Sequence, residues 1–135
     1  MTLDKIKDSI AACEESLKKL EVASKMLDET DVDHDHIGAY EDAVIKRFEI
    51  AFMNCWKMIK VAVEYQGREA YGPRPAISEA IHFGWIEDPE FWTQALDARN
   101  NSVHDYFGIS RSVYFKIVNR FIKEAGNLIE RLKAL

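Results

Sequence analysis

The sequence predicts an all-α protein, an antiparallel up-and-down bundle of four main helices and one short helix. Three observations lead there. Apolar residues recur at steps of three and four over long stretches, Gly67, Gly72, Pro73 and Pro75 interrupt the pattern, and no clear run alternates apolar and polar residues as a strand would. With 135 residues and 47% hydrophobic content the chain is long enough to bury one core, so residues 1–135 are expected to form a single helical-bundle domain.

From Leu3, the residues Ile6, Ile10, Cys13, Leu17, Leu20 and, after a lapse at Ser24, Leu27 form a narrow seam on one amphipathic helix. Asp28 to Ile37 loses that period and fills with Asp and Thr, which bond their own backbone and compete with helix, so a loop belongs there. A second helix runs from about Gly38 or Ala39 to Gln66, because Ala43, Val44, Phe48, Ala51, Phe52, Cys55, Trp56, Ile59, Ala62 and Val63 give it a wide apolar face. That width predicts the central element of the bundle. Pro75 suits the first position of a short helix that reaches Phe83, with Gly84 beyond its end. Asp88-Pro89-Glu90 reads as a cap, a first-position proline and an acidic first turn, starting a helix that buries Phe91, Trp92, Ala95 and Leu96 and frays after Arg99. A last helix opens near Ser110 and turns Val113 or Tyr114, Ile117, Phe121, Ala125, Leu128 and Leu132 inward.

A net charge of −5 gives no overall attraction for a polyanion, so contact with nucleic acid must be local or shared with a partner. The charged N-terminus lacks the apolar stretch of a signal peptide and no later run has the length of a membrane span, so a cytoplasmic protein without membrane contact is expected. Cys13 and Cys55 have neither metal-ligand spacing nor the number of a disulfide framework and are expected to be reduced core residues.

The candidate functional centre is Arg99-Asn100-Asn101-Ser102-Val103-His104-Asp105-Tyr106, a polar insertion between aromatic residues. A guanidinium presents a planar fork of donors to phosphate, and an imidazole gives and takes protons near neutral pH. Together they suit phosphodiester cleavage without a metal or cofactor: His104 takes a proton from a ribose 2′-hydroxyl or delivers one to the leaving oxygen, and Arg99 stabilises charge on phosphorus. Five residues along a regular helix rotate by about 140°, which puts Arg99 and His104 on different faces, whereas Asn100 and His104 share one. Either the helix breaks at Asn100-Asn101-Ser102 or a second copy completes the site across a two-fold axis, and both are expected. Taken from these residues alone, a structural or capping role for the pair stays open.

The eight-residue stretch resembles the HEPN superfamily, whose members carry Arg, often followed by Asn, then His after four to six intervening residues. Arg99, His104 and Tyr106 match the narrower pattern of its HepT-like branch with nothing inserted. Lys46-Arg47-Phe48-Glu49, Trp56-Lys57, Ala80-Ile81, Gly84-Trp85-Ile86 and Trp92 follow the order of landmarks in the nucleotidyltransferase substrate-binding subgroup, so the likeness covers roughly residues 40 to 133. Val103 departs from the small polar residue often found before the His. The resemblance implies a homodimer with two motifs facing one cleft and a cognate minimal nucleotidyltransferase as partner. It implies a toxin of a toxin-antitoxin pair that acts as a metal-independent ribonuclease on RNA, or alternatively a non-catalytic substrate-binding subunit. By position, Arg99 and His104 would be catalytic, Asn100 would bind or orient phosphate, and Tyr106 would receive AMP; packing of the turn before the last helix is the other role open to Tyr106.

Asp31, Asp33 and Asp35 with His34 and His36 form a dense loop, but the calcium-loop template fails at His36, where it needs Gly, and at Asp42, where it needs Glu. No metal site is expected, and the loop should be solvated. His82 is expected at the surface or in packing. Lys18-Lys19 and Lys46-Arg47 are offset by Glu15, Glu21 and Glu49 and read as a solvated face, while Trp56, Trp85 and Trp92 read as core.

Overall fold

In the computed structural model, which describes residues 3–31, 34–104 and 111–135 and only the backbone of 102–104, the elements are α1 (Leu3–Asp28), α2 (Ile37–Tyr65), α3 (Pro73–His82), α4 (Pro89–His104) and α5 (Arg111–Lys133). No described residue forms a strand. The α1 seam is buried as its spacing requires, from Ile6 through Ile10, Cys13 and Leu17 to Leu20. Ser24, the lapse in that seam, is buried too, and its hydroxyl donates to Asn119 Oδ1 of α5 at 2.5 Å. Ser16, also buried, donates to the Ala12 carbonyl and accepts from Asn54 Nδ2 of α2. A buried hydroxyl without such partners would cost about 1–3 kcal/mol.

The wide face of α2 does make it central: it packs against each of the other four helices. Phe48 meets Tyr114 and Phe121 of α5 edge-on at 5.9 and 5.3 Å, and Trp92 of α4 meets Phe121 at 5.7 Å. These rings tie three helices to one point of the core. Cys13 and Cys55 are buried reduced thiols, and a hydrogen bond with Cys13 together with burial pushes the Cys55 thiol well above its usual range.

Several boundaries differ from the sequence expectation. The third helix begins at Pro73 instead of Pro75, because Gly72, at φ +105°, turns the chain in a way open to glycine and lets Pro73 take the first helical position. In α5 it is Tyr114 and Val118 that are buried, while Val113 is exposed and Ile117 only packs at the margin. Ala43 is exposed. The predicted fraying of α4 after Arg99 does not occur, since the helix continues through Asn100-Asn101-Ser102-Val103 to His104. Weak helix formers cost no more than about 0.7 kcal/mol each. Burial of Ala95, Leu96 and Ala98 just upstream anchors the helix, and packing outweighs propensity.

Contacts between helices fix their directions. Lys133 bonds Glu14 and Asn119 bonds Ser24, so α5 runs antiparallel to α1; Phe48 with Tyr114 and Phe52 with Phe121 make α2 and α5 parallel. The chain therefore gathers the end of α1, the start of α2 and the start of α5 at one end of the bundle. Among the described residues, no helix is long and apolar enough to cross a membrane.

Candidate functional site

The start of α4 is pinned. Asp88 caps it, accepting from the Phe91 N–H at 3.2 Å, and Arg120 of α5 bonds the same carboxylate while its guanidinium lies 4.4 Å over the Phe91 ring. The Arg120 bond first, and the Phe91 amide second, hold the Asp88 carboxyl below its ordinary range. Fixing this end sets the direction in which the other end projects.

At that other end Ala98 is fully buried, Arg99 half-buried, Asn100 exposed and Asn101 half-buried. Arg99 Nη1 donates to Asn100 Oδ1 at 3.3 Å, so the structure brings these two predicted residues together. It does not bring positions 99 and 104 onto one face. The unbroken helix leaves them about 7.5 Å apart along the axis and about 140° apart around it, with 100 and 104 one turn apart on a shared face. The side chain of His104, and Tyr106 altogether, lie outside the described residues.

Two residues at the starts of α2 and α5 form a pair that the sequence did not suggest. Glu41 of α2 is buried and takes both Nε and Nη2 of Arg111, the first residue of α5, on its two carboxylate oxygens. A signal existed: Glu41 precedes Val44, Ile45 and Phe48 by three, four and seven residues, so it lies on the apolar stripe of α2, where a carboxylate needs a cationic partner.

The acidic and histidine loop is organised locally. His34 donates its amide to the Asp31 carbonyl at 2.9 Å, and its Nδ1 accepts from the His36 amide at 3.0 Å. Among the described residues no group of three or more His, Cys, Asp or Glu could hold a metal ion. His82 packs its ring edge-on against Phe83, Trp85 and Trp92 are buried, and Trp56 is partly buried.

Fold and site together define a class: a helical bundle that carries its cluster of chemistry-bearing residues on the last turns of one helix. The family model described as nucleotidyltransferase substrate binding protein like matches residues 6–134, and the chain belongs to that family, in agreement with the HepT-like resemblance of its motif. It is 29% identical over 94 residues to a probable ribonuclease HepT of Haemophilus influenzae, covering 66% of this chain and 64% of that protein's length. A crystal structure from Thermus thermophilus shares the fold at a TM-score of 0.73 and 22% identity, over 89% of this chain and 98% of that one.

Proposed function

We propose that this chain is a HEPN-type ribonuclease, the toxin of a toxin-antitoxin pair, whose cognate minimal nucleotidyltransferase silences it by transferring AMP to Tyr106. The observation that carries the reading is the placement of Arg99 and Asn100 at the solvent-facing end of a continuous α4, with Asn100 one turn from position 104, in a chain similar to a probable ribonuclease. In the reaction, the His104 imidazole takes the 2′-hydroxyl proton as the 2′-oxygen bonds to phosphorus. The bond from phosphorus to the 5′-oxygen breaks, and an imidazolium returns a proton to that oxygen, leaving a 2′,3′-cyclic phosphate. Arg99 neutralises the charge that builds on the phosphoryl oxygens, and Asn100 orients the phosphate.

Because the helix is unbroken, Arg99 and His104 of one copy diverge, and a homodimer with the two α4 ends facing each other supplies the missing member of each pair. His104→Ala and Arg99→Ala should each abolish RNA cleavage with the fold retained, and EDTA should leave cleavage unchanged. Wild-type cleavage by His104→Ala, or arrest by EDTA, contradicts the mechanism. A bulky anion on Tyr106 would compete for the Arg99 guanidinium and block the phosphate site. Intact mass after incubation with the nucleotidyltransferase and ATP should rise by one AMP in the wild type and not in Tyr106→Phe, which should still cleave RNA.

The second reading is a non-catalytic subunit that presents a substrate to the nucleotidyltransferase. The family's description and the net charge of −5 favour it. RNA cleavage lost in His104→Ala separates the two.

A further inference from the structure

Along the antiparallel pair of α1 and α2 run two open recesses of about 240 and 370 Å³ that meet at Lys19 and Arg47, which line both. Every lining residue lies on one of these two helices. α5 packs on the far side of α1, where Ser24 bonds Asn119 and Glu14 bonds Lys133, and so leaves the groove uncovered. Ser24 and Glu14 each stand five residues from Lys19, about 140° around the helix. The sequence offsets Lys18, Lys19 and Arg47 with Glu15, Glu21 and Glu49, but only Glu15 joins them in lining the groove. It pairs with Lys19 at 3.6 Å, and an ion pair so exposed holds its members weakly. Lys18 and Arg47 make no ion pair among the described residues. Beside these cations Val22 and Met26, one turn apart on α1, stand 60% and 48% exposed. A chain of net charge −5 therefore carries a cationic groove with an aliphatic edge.

We propose that this groove docks an acidic helix of a partner protein, whose aliphatic residues cover Val22 and Met26 and whose carboxylates meet Lys18, Lys19 and Arg47. A groove between two antiparallel helices receives a third helix by ordinary ridge-and-groove packing, and the charge of the groove selects the sign of its occupant. RNA is the poorer occupant, because no aromatic ring lines either recess for its bases to stack on. A membrane surface is met by a helix with a broad, bulky apolar face, which two side chains at the edge of a recess do not make. Naming the nucleotidyltransferase as the owner of the acidic helix rests on the function proposed above; the chemistry of the groove does not.

The test titrates the full chain with the cognate nucleotidyltransferase in a calorimeter. The double variant Lys19→Glu, Arg47→Glu should bind about ten- to a hundred-fold more weakly than the wild type, and Val22→Asp should lose a similar factor. All three substituted side chains are exposed, so unfolding temperature, self-association and RNA cleavage should stay at their wild-type values. Raising NaCl from about 50 to about 300 mM should weaken binding by the wild type and change the double variant little. Wild-type affinity in both variants overturns the groove and leaves the nucleotidyltransferase partnership standing, whereas no binding by the wild type removes the partnership and the proposal with it. Salt-independent binding overturns the acidic character of the partner. Self-association lost in the variants assigns the groove to a second copy of this chain. Binding lost to a 2′-O-methyl RNA, or to vesicles of phosphatidylcholine and phosphatidylserine, while the nucleotidyltransferase still binds assigns it to that surface; each of these outcomes overturns the proposal.

Discussion

The two ends of α4 are built on opposite principles. At its start a cap, a first-position proline, a stacked arginine and two buried aromatic rings leave one orientation available. At its end the polar groups of Arg99, Asn100 and Asn101 face solvent wholly or in part, with Arg99 bonded to its neighbour Asn100, over a single buried alanine. The contacts that hold α4 in place are concentrated where it begins, and the residues at its end carry little of the packing.

The largest effect should follow from breaking the fixed end. Trp92→Ala removes a fully buried ring that contacts Phe91 and Phe121 and should cost about 3–5 kcal/mol, read by urea or thermal unfolding. A loss below about 1 kcal/mol would mean that α4 is not anchored there. At the other end the pattern should invert: His104→Ala should lower cleavage by about 10²–10⁴-fold and shift stability by no more than about 0.5 kcal/mol.

Smaller effects sharpen the same contrast. Asp88→Ala should lower the unfolding temperature by a few degrees, because it removes a cap and a partner of Arg120, and Asn101→Ala should leave it unchanged or slightly raised. Acid should act through Asp88 and Glu79, whose carboxyls are held low by Arg120 and Arg68. A depressed folded-state pKa contributes stability that is complete above the unfolded carboxylate value of about 4 and is lost as pH falls below it. Unfolding temperatures of the wild type should therefore fall more steeply below about pH 4 than those of an Asp88→Asn, Glu79→Gln variant. Parallel curves would dissociate these carboxylates from acid stability.

The fold was legible because the helices bury their faces on a period of 3.6, and the aromatic and aliphatic residues of α2 and α5 mark that period, apart from a choice between Val113 and Tyr114 and between Ile117 and Val118. What escaped was polar pairing across distance. Ser24 reads as a lapse in the sequence because its partner, Asn119, is on another helix, and nothing local marks Glu41 as paired because Arg111 lies at the start of α5. The path of α4 through Asn100-Asn101-Ser102 was misjudged for the same reason: propensity is local, whereas the packing that holds the helix comes from α2, α3 and α5. The sequence singles out Arg99 and Asn100, which the structure shows hydrogen-bonded to each other on the last turns of α4, while the Glu41–Arg111 pair needed the structure.

The claim that the end of α4 acts as one half of a shared site can be tested most directly by mixing two dead variants. Arg99→Ala and His104→Ala, each inactive alone, should regain about a quarter of wild-type RNA cleavage when refolded together in equal amounts, because half the dimers then contain one intact pair built from both copies. A mixture as inactive as its components would contradict the shared site, and full activity in either variant alone would contradict the site itself.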